Sequence, residues 1–150
     1  MGLETVRHLR HLIPLLAAIL SDPFALAAVD MVLACLRALR AVVLNGWPRM
    51  EWWAGEVVRG VVILWVRIIG EEQEEEGHDS NNDDDNDDND GGDDDDDDKR
   101  KNRFDEIKKE ARLTLGVLSR ALDRESVVFG ELKGLLDQDE GLRGLRDCLG

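Results

Sequence analysis

Apolar residues recur along this chain at steps of three and four, the spacing of helices that bury one face. Val6, Leu9, Ile13, Leu16 and Leu20 form the first stripe, with Glu4, Arg7, His8 and His11 opposite. Pro14 predicts either a kink in this helix or the start of its longer half, because proline lacks an amide donor but fits a first-turn position. Ser21-Asp22-Pro23 predicts a stop and a restart, with Asp22 capping orphan amides. A second helix is expected from about residue 24 to 44. Its polar stripe is little more than Asp30, Arg37 and Arg40, so it needs neighbours on more than one side. Asn45-Gly46-Trp47-Pro48 ends it by rule. A third helix, from about 50 to 69, buries Trp53, Val57, Val61, Leu64 and Ile68 and turns Glu56, Arg59 and Arg67 outward, with Glu56 and Arg59 at ion-pair spacing. Ile107, Ala111, Leu115, Leu118 and Leu122 repeat the pattern in a fourth. Two shorter amphipathic segments follow, at about 125–136 and 139–149. No segment shows the sustained alternation of a strand, and the expected fold is all-α.

Helix pairs in succession prompt a test for a repeat. They begin near Glu4, Met50 and Glu125, so the first interval is about 46 residues, and setting aside residues 71–102 makes the second about 43. Both fall within the ~40 to 47 of HEAT and armadillo repeats. An irregular helical bundle satisfies the same spacing. The organisation expected is one domain, a fragment of HEAT-like α-solenoid, with three helices in 1–70, a disordered acidic insertion at 71–102 and further helices in 103–150.

Charge sharpens that division. The net charge of -14 arises from 33 acidic against 19 basic residues, but 18 of the acids lie in residues 71–98, which hold no Lys or Arg. The 15 remaining acids leave the rest of the chain at +4, with +2 on each flank. The low pI therefore describes an insertion. Without apolar residues to repay ordering, the tract is expected to be disordered, and a long surface loop is cheap to close. Three uses are open to it: a tolerated insertion, a cation site, or a sleeve for basic proteins. A calcium loop with Asn86, Asp88, Asp90 and Gly91 at the first, third, fifth and sixth positions puts Asp97 where a bidentate Glu is needed, and no helix abuts it, which argues against an EF-hand. The basic run Lys99-Arg100-Lys101-Asn102-Arg103 reads as a helix-start linker, since the neighbouring acids repel nucleic acid.

The sequence offers little catalytic chemistry. Glu4, His8 and His11 share a helical face at ligand spacing but lack a wider signature and read as a solvated stripe. Ser119 and Ser126 have no nucleophile elbow or paired base, and there is no phosphate loop. Cys35 and Cys148 are isolated, without zinc spacing or a disulfide framework. No enzyme activity, metal or cofactor is expected. No apolar run reaches the roughly 20 residues needed to cross a bilayer, and Glu4 with no small-residue cleavage site argues against a signal peptide. The expectation is a soluble chain in the cytoplasm, the nucleus or both. Trp47, Trp52, Trp53 and Trp65 are the residues to watch: most suit packing between helix pairs, but an indole left exposed at Trp52-Trp53 would anchor an interface.

One stretch carries a family resemblance. Residues 36–49, ending Asn45-Gly46-Trp47-Pro48-Arg49, continue through Trp53, Gly55 and Glu56 to Trp65, and over about residues 10–70 the chain resembles the Tti-two family, most closely its fungal members. That family supplies one subunit of the Triple-T complex, with Tel-two and Tti-one. The resemblance implies a noncatalytic HEAT-like scaffold that works with the Hsp-ninety machinery to stabilise and assemble phosphatidylinositol-3-kinase-related kinases. It implies protein partners, no specific nucleic acid and no membrane. It makes Trp47, Pro48, Arg49, Trp52, Trp53, Glu56 and Trp65 the interface or architectural residues. Family members are longer, so the chain is expected to be a C-terminal portion or a truncated product, with an exposed apolar end where earlier repeats would stack. The rival expectation is an acidic binding or chaperone module for basic proteins.

Overall fold

A computed structural model describes residues 3–76, 94–122 and 127–148. Among these residues the chain is helical with no strand: α1 Leu3–Ser21, α2 Val29–Gly46, α3 Ala54–Glu76, α4 Asp94–Ala121, α5 Val127–Gln138 and α6 Arg143–Arg146. The all-α expectation holds. The apolar stripes predicted for the first, third and fourth helices are buried from Leu9 to Leu20, from Val57 to Ile68 and from Ile107 to Leu122, with Trp53 half-buried against the same core. Pro14 lies inside an uninterrupted α1.

The boundaries moved for local reasons. The second helix starts at Val29, because Ala25–Ala28 forms a 3-10 turn first; the Asp22 carboxylate accepts the Phe24 amide at 2.7 Å and the Asp22 carbonyl accepts that of Ala25 at 3.1 Å. The third starts at Ala54, because Trp47–Trp52 continues past α2 as a second 3-10 turn. Fully buried Met50 pins that turn to the core, and the Trp53 amide closes it on the Met50 carbonyl at 2.9 Å.

Helical structure also extends into both ends of the segment expected to be disordered. α3 continues to Glu76 and α4 begins at Asp94, while residues 77–93, including Asn86, Asp88, Asp90 and Gly91 of the calcium-loop test, lie outside the described residues. Two cross-helix ion pairs accompany the extension. Glu71 accepts from Arg100 at 2.7 Å and Glu72 holds the Lys108 ammonium at 2.6 Å. Glutamate is also a good helix former, and a run of acids is best tolerated where a helix begins, at the positive end of its dipole.

The helices pack in two layers. α1 lies along α3 and α2 along α4, with further contact of α1 to α2 and of α3 to α4. Between α1 and α2 the chain turns through 103°, a corner rather than an antiparallel reversal. The close approach of α1 to α3 depends on Gly60, where a Cβ would lie 3.1 Å from the Ala17 Cα.

The seam between α2 and α4 contains the main buried polar cluster. Glu110, 9% exposed, takes Arg40 at 2.8 Å and Arg37 at 3.6 Å, and Arg37 also reaches Glu106 at 2.9 Å. The Thr114 hydroxyl, fully buried, donates to the Glu110 carbonyl at 2.9 Å. Glu56 and Arg59 form no ion pair with each other; both are solvent-exposed.

Two variants probe this packing by urea denaturation. Gly60→Val is expected to cost about 1–3 kcal/mol, because the added carbons meet backbone that moves only if the layer opens. Glu110→Gln, which keeps the shape and removes the charge, is expected to cost about 1 kcal/mol or less, since Arg37 and Arg40 remain partly solvated.

Candidate interaction surface

The tryptophans divide by location. Trp65, on α3, is 2% exposed and fastens the C-terminal segment to the rest of the fold. Its indole Nε1 donates to the Gly141 carbonyl at 2.9 Å. The Arg112 guanidinium lies 5.2 Å from the ring centre, and its Nε donates to the Gly144 carbonyl at 2.9 Å. Gly144 is required here, because any Cβ would lie 2.7 Å from the Trp65 ring. The Asp139 carboxylate accepts the Gly141 amide at 2.8 Å and so shapes the turn that Trp65 reads.

Trp52 is the opposite case, at 88% exposure. It sits at the end of a turn that contacts α2, α3 and α4 and is anchored by buried Met50, so a fixed base presents a bare indole. Arg49 and Glu56 are exposed beside it in sequence, and Trp53 packs half-buried against the core. Trp47 and Pro48 belong to the turn's backbone, and their side chains lie outside the described residues. Of the seven residues singled out in sequence, Arg49, Trp52 and Glu56 are therefore exposed, the first two on the turn and Glu56 in the first turn of α3. Trp65 lies about 13 Å further along α3 from Glu56, at the helical rise per residue, and is covered.

Other apolar side chains reach solvent as well. On α2 the positions Met31, Ala34, Ala38 and Ala41 form an exposed stripe at steps of three and four, and Leu12 and Leu15 are exposed on α1. Phe24, at the corner between these helices, is 81% exposed. The all-round apolar character of the second helix is thus used on the sides facing α4 and α1 and left open on a third.

A cleft of about 450 Å³ opens between that corner and the facing ends of α3 and α4. Leu26, Val29 and Phe104 contribute its apolar lining, and Lys99, Arg100 and Arg103 with Glu71 its polar lining. The bases expected as a helix-start linker lie inside α4, which starts at Asp94, so positions 99, 100 and 103 fall on adjacent faces of one helical turn.

The candidate chemistry does not converge. His8 and His11 are exposed, and the His11 Nε2 accepts from the neighbouring Arg10 at 2.9 Å; the Glu4 side chain lies outside the described residues. No group of three metal-ligating side chains comes together among the described residues. Ser119 donates to the Gly116 carbonyl at 2.9 Å, and Ser126 is outside the described residues. Burial pushes the Cys35 thiol above its ordinary pKa, and burial with the Asp147 charge outweighs Arg112 to do the same at Cys148, which disfavours the reactive thiolate. No single helix among the described residues is long and apolar enough to cross a membrane.

Fold and surface together define a two-layer all-α protein whose conspicuous features are apolar side chains presented to solvent. Comparison with protein-family models, curated proteins and solved structures gives no significant match.

The two tryptophans are expected to respond differently to truncation. Trp65→Ala should lose about 3–5 kcal/mol of unfolding free energy, whereas Trp52→Ala should stay within about 0.5 kcal/mol of the parent, both read from denaturant midpoints.

Proposed function

We propose that this protein is a noncatalytic helical scaffold that binds other proteins, with Trp52 as a principal anchor. The observation that carries this reading is an indole 88% exposed on a turn held from below by fully buried Met50. Such a side chain is costly to leave in water and loses little conformational freedom on binding, which is why tryptophan recurs at the energetic centres of interfaces. The open apolar positions on α1 and α2 support the same reading, since contiguous exposed apolar surface marks interaction sites.

The finer assignment extends the resemblance to the Tti-two family. On it, the chain is a HEAT-like element of a Triple-T-type co-chaperone complex, with Tel-two and Tti-one as partners, working with the Hsp-ninety machinery on phosphatidylinositol-3-kinase-related kinases. Stacking of α1 on α3 and α2 on α4 is the order that successive helical repeats produce. The 103° corner between α1 and α2 departs from an antiparallel repeat pair, so this chain would be an irregular member of such an array.

Affinity capture of the full-length product followed by mass spectrometry tests the assignment. Tel-two and Tti-one are the expected co-purifying proteins, and partners without either of them would defeat it. Trp52→Ala is expected to lower recovery by about tenfold or more, the scale of a truncated hot spot. Removing residues 77–93 alone, which spares the Glu71–Arg100 and Glu72–Lys108 pairs, should leave capture intact. Loss of capture on that deletion would instead favour an acidic-tract module for basic proteins.

A further inference from the structure

We propose that the cleft between the α1–α2 corner and the facing ends of α3 and α4 binds a short acidic segment of a partner protein, one that places a carboxylate next to an apolar side chain. This deepens the protein-binding reading and rests on it, but concerns a surface separate from Trp52.

The two sides of the cleft supply the two halves of that specificity. Leu26, Val29 and Phe104 offer an apolar wall, with exposed Phe24 on the same corner of the fold. At about 450 Å³ the cleft accommodates a few side chains, the scale of a ligand site rather than of a globular partner's face. On the polar side, Arg100 is held in place: its guanidinium lies 5.5 Å from the Phe104 ring centre and donates to Glu71 at 2.7 Å. Arg103 lies one turn further along the same helix and makes no ion pair among the described residues. An arginine beside an apolar wall suits a carboxylate, because its planar fork matches the two oxygens and is weakly hydrated.

Charge elsewhere in the chain selects against a polyanion. The basic turn follows directly on a tract with 18 acidic residues, which repels a ligand of continuous phosphate charge along its length. A segment with one or two carboxylates engages Arg103 locally, over distances shorter than the roughly 8 Å screening length of physiological salt. The apolar wall adds nothing for a bare anion and favours a ligand with an aliphatic or aromatic side chain.

The test uses the full chain and fluorescein-labelled peptides that pair Asp or Glu with Leu or Phe at steps of three and four, read by fluorescence anisotropy at physiological ionic strength. Poly-aspartate and a single-stranded oligodeoxynucleotide are run beside them. At least one mixed peptide is expected to bind more tightly than either polyanion. Arg103→Glu is expected to weaken it by about tenfold, Arg103→Lys, which keeps the charge and loses the planar fork, is expected to weaken it less, and the helical circular dichroism stays unchanged in both. An absence of peptide binding, equal or tighter binding of a polyanion, or an affinity indifferent to Arg103→Glu would each overturn the proposal. Trp52→Ala is expected to leave peptide affinity unaltered, so failure here with partner capture through Trp52 intact leaves the scaffold reading standing.

Discussion

The seam between α2 and α4 is the constraint on which the rest of the protein depends. It joins residues some seventy positions apart: Arg37 to Glu106 and Arg40 to Glu110 are separated by 69 and 70 residues. With the acidic stretch lying between the two helices in sequence, packing across this seam is what makes one core from the N-terminal and C-terminal parts. Apolar burial supplies the attraction, and the Glu110 carboxylate on α4 ties Arg37 and Arg40 of α2 across it. Once the seam is formed, α1 settles on α3 across Gly60, and the turn from Trp47 to Trp52 is clamped beneath the corner it makes with α2, α3 and α4.

The consequences for the surface follow from that packing order. α2 is apolar on more sides than one fold of this size can cover. Two of those sides meet α4 and α1, and the third remains open with Met31, Ala34, Ala38 and Ala41. The same economy explains the tryptophans. Trp65 is buried because the C-terminal segment folds back over it, with Gly144 leaving room for the ring. Trp52 has no such cover, because its turn is at the rim. Two indoles thirteen positions apart thus serve opposite purposes, one as a fastener and one as a presented surface.

The stripes of α1, α3 and α4 were legible because a helix that buries one face must space its apolar residues at three and four, and that relation is local. The starts of α2 and α3 were misplaced, because the 3-10 turns at Ala25–Ala28 and Trp47–Trp52 obey the same apolar spacing as the helices they precede. The outer helical ends of the acidic stretch were not visible, since ion pairs from Glu71 to Arg100 and from Glu72 to Lys108 depend on helices that the sequence does not place side by side. For the same reason the bases at 99, 100 and 103 passed for linker until α4 set them opposite Leu26 and Val29.

What the sequence determined by itself was the class of structure and the distribution of charge, namely an all-α fold and an acidic stretch dividing two mildly basic flanks. Periodicity and composition are properties of the chain, and no distant contact changes them. Tertiary structure alone decided which tryptophan is covered, which face of α2 stays open, and where cations meet an apolar wall. Each of these depends on the relative placement of helices, and that placement is decided by packing at Gly60, at Gly144 and along the Glu110 seam.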